Sequence, residues 1–506
     1  MKHVWRCIVI LTIVCLSATA SLAASNADDL YRKAIRLETA FQLTEAADLY
    51  QEAMRIYFDN NEKEKAMRCR VGYGRVQKIR YEYPYTKAQA KEAIKKIAPQ
   101  AAEKRIDAWL KEPNVERLTI DGEPRYFLSV DKNFTFRNYD VGRSFKQIQE
   151  GYTLYYTIIK RLIDDNTREI LPRGAVYPYK KPVVYRGTWT LTIKRQELPQ
   201  GGTVQLWIPL PILTGSQTDV KDITISPQEY VKLPPRIDTE LGLAYMEVPL
   251  DKLKKDLVIT TGFTFKHYTQ RFKINPDDVG SYDVNSALYR KYTASRANTI
   301  TEWGITERAR EVIGNEANPY RAARKIYDYV VSQVYYSFMP HYSLDARRYP
   351  ESVYVHKNRY GDCGAQSSYF SALCRAVGIP ARTTGGFQII KKGTASGHFW
   401  AEFYLPNYGW IPVDTSVAQA VDYLPTLTEK EKKEYKDYFF GNMDPYRLVI
   451  QKDIDIPLTP PASEPIMLAM GIQDAAILCD TTMSHPGFLL IEGWKYEIKE
   501  VSGRDN

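Results

Sequence analysis

Cysteine is scarce in this chain, with six in 506 residues. Cys7 and Cys15 sit in an apolar stretch at the start, which leaves Cys69, Cys363, Cys374 and Cys479 for the body. If one of these serves as a thiol, the other three cannot all pair, so a disulfide framework is excluded. None is needed, because a chain of this length that is 44% hydrophobic can bury sizeable cores unaided. Histidine is equally sparse, and neither paired cysteines nor a histidine cluster has the spacing of a metal site. A glycine-rich phosphate loop is also missing, so no metal or other cofactor is expected. The net charge of +9 comes without a Lys/Arg block, which argues against a nucleic-acid partner. The excess reads as a solvated basic face, with attraction to an acidic envelope or wall surface as the other reading.

What is present begins with a leader. Lys2 and Arg6 precede an apolar run from Cys7 to Leu16, followed by small residues to Ala23 and Ala24. Residues 1–24 therefore read as a cleaved signal peptide, with a retained anchor as the alternative, and the mature chain is expected to be secreted or periplasmic without a membrane span. Residues 25–180 read as mainly helical. Within 27–112, Leu30, Ala34, Leu37, Ala46, Tyr50 and Ala53 follow the small-and-large spacing of one tetratricopeptide-like helix pair. One or two such pairs cannot close a core alone, so this hairpin either pads another domain or docks a protein partner. Phe145 to Ile163 is patterned as a further amphipathic helix. From 181 to 275, alternation at Trp189, Leu191, Ile193, then Val204, Leu206, Ile208, then Leu257 to Phe265, predicts a β-sandwich of roughly six or seven strands. Residues 276–317 read as a linker and 318–506 as a last domain, opened by the Asn318-Pro319 helix start and closed by C-terminal strands. The fold class expected is α+β and multidomain.

In that last domain, Gly361-Asp362-Cys363-Gly364 precedes a helical pattern through Gln366, Tyr369, Phe370, Leu373 and Val377, with Asp362 as cap and Gly378 as stop. A thiol on the first turn of a helix meets unpaired N–H groups and the positive end of the dipole, which favours a thiolate. Farther along, His398 to Leu405 alternates, placing Phe399, Ala401, Phe403 and Leu405 on a core face and His398 on the other. A turn centred on Pro406 would set His398 opposite Asp414; a four-residue turn at 406–409 would require a bulge. Cys363, His398 and Asp414 thus form a candidate nucleophile, base and orienting carboxylate. Taken singly, each has an ordinary structural reading, and Cys374, eleven residues along the same helix, is read as core packing. Asp444 and Glu402 are isolated carboxylates in the sequence, which gives no calcium pattern.

These words, Gly-Asp-Cys, Leu373 to Arg382, His398-Phe399-Trp400-Ala401-Glu402 and Gly409 to Asp414, resemble the transglutaminase-like superfamily, with its papain-like core of a helix on an antiparallel sheet. Trp207 to Pro211 is similar to the β domain that often precedes such cores, which implies that it walls one side of the cleft. The run Phe439 to Arg447 also resembles the segment after the aspartate block in secreted bacterial relatives. The resemblance implies that Cys363 is the nucleophile, His398 the general base and acid, and Asp414 the residue that orients the imidazole. Gln333, Tyr335, Tyr336 and Tyr360 are candidates by location for the second oxyanion donor. The implied activity is acyl transfer at the amides of a protein or peptide substrate. Hydrolysis is the first reading, amine transfer to protein glutamine the second, and a non-catalytic binding scaffold the third.

Overall fold

The computed structural model describes residues 26–168, 178–389, 393, 395–463, 466, 470–480 and 494–501. The leader reading lies outside these residues. Among the described residues no helix is long and apolar enough to cross a membrane. The molecule is mixed α and β, with helices leading, several sheets following, and a helix-on-sheet core in the second half.

The N-terminal periodicity becomes a helix over 26–39 followed by Leu43–Asp59 and Lys63–Glu82. Ala34, Ala46, Tyr50 and Ala53 are fully buried, because small side chains on one helix let the neighbouring helix approach. Phe338 and Ala346 of the second-half core pack against this cluster, so the hairpin is docked on that core. The attachment is also polar. Glu82, at the end of Lys63–Glu82, accepts the backbone N–H groups of Tyr342 and Ser343 at 2.8 and 2.7 Å.

The alternating stretches form two sheets. One holds Tyr179–Ile193, Gln217–Ser226 and Leu257–Arg271; the other holds Thr203–Pro209, Val231–Arg236 and Leu243–Pro249. Leu191, Ile193 and Ile259 of the first share a core with Leu206, Met246 and Val248 of the second. Of the strands after Asp414, Arg447–Gln451 joins the sheet of the second-half core, but the last two described do not, contrary to the sequence reading. Trp494–Glu500 pairs with Tyr179–Ile193, and Ala476–Asp480 pairs with Thr203–Pro209. Short apolar strands give no sequence signal of which open edge they will join, since their period fixes a face and not a partner.

The segment read as a linker is also part of the second-half core. Its helix Ile305–Ile313 buries Ile305 and Ala309 there, and Tyr292 meets the Trp410 ring at 4.8 Å. Its polar composition hid this, because one narrow apolar stripe is enough to seat a nine-residue helix. Asn318 caps Pro319–Gln333 as expected, accepting the N–H groups of Tyr320 and Arg321. The core sheet is antiparallel, in the order Gly409–Val413, Ser396–Leu405, Ala381–Gln388, Arg447–Gln451. The helix Cys363–Ala376 lies across it, burying Tyr369, Phe370, Leu373 and Cys374 against Ala401 and Phe403. The sheet is tight at Gly386, where an added Cβ would sit 1.8 Å from the carbonyl oxygen of Leu448.

Candidate active site

Three local features bring Cys363, His398 and Asp414 to one place. Asp362 caps the helix Cys363–Ala376 by accepting the N–H of Ala365 at 3.1 Å, which fixes Cys363 as its first residue. The strand Ser396–Leu405 presents His398. The adjoining strand ends at Val413, and Asp414 then caps the short helix Thr415–Ala418 by accepting the N–H of Val417 at 3.0 Å. The hairpin register differs from the one expected. Leu405 pairs with Gly409, so the connection is three residues, and Asn407 and Gly409 absorb it at φ 71° and 84°. Continuing that register sets Asp414 opposite Trp400, two residues beyond His398 and on the same face, and no bulge is required.

The diagonal arrangement suits the hydrogen bond. His398 Nε2 donates to Asp414 Oδ2 at 2.8 Å, with both side chains buried, which leaves Nδ1 as the acceptor for a thiol proton. Cys363 and His398 line one cavity of about 360 Å³, with Tyr152 and Tyr155 on one side and Tyr336, Gln419 and Tyr423 on another. Tyr152 and Tyr155 come from the helix Lys146–Arg168. That helix, and not the β domain expected to do so, walls the cleft. The apolar face of the β domain instead packs behind the core sheet, with Trp189 5.0 Å from the Phe387 ring.

Of the oxyanion candidates, only Tyr336 lines this cavity, set there by the parallel pairing of Tyr335–Tyr336 with Tyr360–Gly361 just before Cys363. Gln333 and Tyr335 are exposed. Tyr360 is buried with its hydroxyl on the Asn114 carbonyl and the Arg137 guanidinium over its ring. Cys374 is fully buried in the helix–sheet core, where burial pushes its thiol well up.

Sequence reasoning missed one member of the site. Arg447, wholly buried, donates to Asp414 at 2.7 Å and to Asp444 at 2.9 Å, while the Tyr155 hydroxyl donates to Asp444 at 2.9 Å. The Arg447 guanidinium also lies 5.0 Å from the Trp400 ring. Asp444 is therefore not isolated, and neither is Glu402, which accepts from Arg382 at 2.7 Å. Phe439 to Arg447 was the available signal, but nothing in a linear sequence says that an arginine thirty-three residues after an aspartate will meet it.

The charges arise from these contacts. Burial alone would raise the Asp414 pKa, but the facing His398 and Arg447 outweigh it and hold the carboxyl well below the usual range. Cys363 goes the other way from the sequence expectation. Burial pushes its thiol up, Asp362 and Asp414 add to the effect, and the backbone N–H groups of Phe399 and Gly364 only partly offset it. A helix N-terminus favours a thiolate, but desolvation opposes it here and the direction is upward.

Residues 306–415 match the family model of the transglutaminase-like superfamily, a span that contains Cys363, His398 and Asp414 but stops short of Arg447. The chain is 26% identical over 284 residues to an uncharacterized protein of Haemophilus influenzae, an overlap of 49% of this chain and 74% of that protein. Among solved structures it is similar to a candidate cysteine protease from Cytophaga hutchinsonii, at 12% identity and a TM-score of 0.41 over 65% of this chain and 93% of the other. It is also similar to the periplasmic domain of TgpA from Pseudomonas aeruginosa, at 12% identity and a TM-score of 0.23 over 50% and 92%.

Proposed function

We propose that this chain, which carries a transglutaminase-like core, is an exported thiol enzyme that hydrolyses peptide or protein amides through Cys363, His398 and Asp414. The observation that carries the reading is the meeting of a helix-capped cysteine and a carboxylate-oriented histidine in one cavity. His398 Nδ1 takes the thiol proton as sulfur attacks the amide carbon. Asp414 keeps the proton of Nε2 in place and stabilises the imidazolium, and Arg447 keeps Asp414 ionised. The oxyanion is bound by the Cys363 N–H and, in this reading, by the Tyr336 hydroxyl. His398 then returns its proton to the leaving amine, and water resolves the thioester.

Amine transfer is the second reading, because it differs only in the group that resolves the thioester. Both are tested by giving the full chain a glutamine-bearing protein and a labelled primary amine. Hydrolysis predicts new N-termini without incorporated label, abolished by Cys363→Ala. Label on the protein favours transfer. Equal biological function in the alanine variant, with neither product formed by wild type, supports a scaffold.

A further inference from the structure

A second cluster of titratable groups lies on the other side of Asp362. The imidazole of His341 sits between two carboxylates, with Nε2 2.6 Å from Asp362 Oδ2 and Nδ1 2.6 Å from Glu351 Oε1. A neutral imidazole has one N–H and can donate to only one of them, so the arrangement calls for the doubly protonated ring. All three side chains are largely withdrawn from solvent, with 21%, 13% and 4% exposure at His341, Asp362 and Glu351. Burial pushes the Glu351 carboxyl up, and the His341 cation opposes that shift and holds Asp362 down. Asp362 uses its other oxygen to cap the nucleophile helix at Ala365, and its charge is felt directly by the adjacent sulfur. His341 in turn opens the short helix His341–Ala346, whose next two N–H groups are held by Glu82 of the N-terminal hairpin.

We infer that His341 is a positioning residue for the nucleophile: clamped by Glu351, it holds and neutralises the Asp362 cap so that Cys363 is presented to His398 with less opposing negative charge. The inference rests on Cys363 being the reactive thiol of the proposed function, and it assigns the N-terminal hairpin a part in that site, through Glu82. The groups that bear on His341 are Asp362 and Glu351 in direct contact, and Glu82. Lys78 and Asp345 lie one layer out, with the Lys78 ammonium 4.6 Å from the Tyr342 ring. Those that bear on Cys363 are Asp362 and Asp414, with His398 and Tyr336 lining the same cavity.

The test is the pH profile of Cys363 alkylation by iodoacetamide, resolved by peptide mass, in the full chain. It reads the sulfur whether or not the protein cleaves amides, so its failure is distinct from failure of the amide-hydrolysis reading. His341→Gln leaves the Asp362 charge unbalanced and raises the alkylation midpoint by about one unit, roughly tenfold slower at neutral pH. In an Asp362→Asn background, which keeps a good cap without the charge, the same His341 substitution leaves the midpoint unmoved. An equal shift in both backgrounds, or none in either, overturns the inference. Should His341→Gln fail to fold, the wild-type imidazole resonances decide: a doubly protonated His341 ring at pH 8 is expected, and a neutral one contradicts the clamp.

Discussion

Among single residues, Arg447 has the largest consequence for both stability and chemistry. It is a wholly buried cation between Asp414 and Asp444. Replacing it with methionine strands two buried carboxylates, and breaking a buried pair in this way costs about 3–5 kcal/mol. Denaturant unfolding of Arg447→Met at neutral pH is expected to give a loss of that size. The pH dependence has a definite sign. Asp414 has a folded pKa below its unfolded value of about 3.9. Its contribution to stability is therefore complete above about pH 4 and is lost as pH falls through the folded value. Removing Arg447 raises the folded value toward the unfolded one, so the loss contributed by Asp414 still begins near pH 4 but is smaller and is complete at a higher pH in the variant than in wild type. An unchanged acid limb would mean that Arg447 does not hold Asp414 ionised.

Elements were legible where a local rule decided them. The Asp362 cap and the Asn318 start both stand as the sequence implies, because each is settled within four residues. The hairpin kept its faces but not its register, since two residues of slip preserve the side that a side chain occupies and alter only its partner. His398 and Asp414 therefore still meet, by a diagonal contact. The sheet tolerates little at Gly386, whose missing Cβ lets Arg447–Gln451 lie against Ala381–Gln388. Gly386→Ala forces those backbones apart and should cost roughly 1–3 kcal/mol. Because Arg447 stands on the displaced strand, the variant should also lose more activity than stability at a temperature where it remains folded, measured by comparing turnover with the unfolding midpoint.

Over the whole molecule, the parts that escaped the sequence are those set by long-range docking. Cys363, His398 and Asp414 span about fifty residues and could be read in order. The wall of the cleft comes from Tyr152 and Tyr155, more than two hundred residues earlier, and the cap on the His341 helix comes from Glu82. Likewise the last strands return to the β sheets and not to the core that precedes them. No periodicity within a segment encodes which distant surface it will cover. The consequence is a candidate site assembled by the N-terminal helices and the second-half core together, with the β sheets as the backing of that core. The most direct test of that site as an acyl-transfer centre is trapping of the covalent intermediate. The full chain is mixed with a peptide anilide library, quenched in acid within the first turnover, and digested for mass analysis. The account predicts an acyl adduct on the peptide bearing Cys363, in step with released aniline and lost in His398→Ala, with Cys374 unmodified. Aniline release without any adduct on Cys363, or release undiminished in Cys363→Ala, would contradict it.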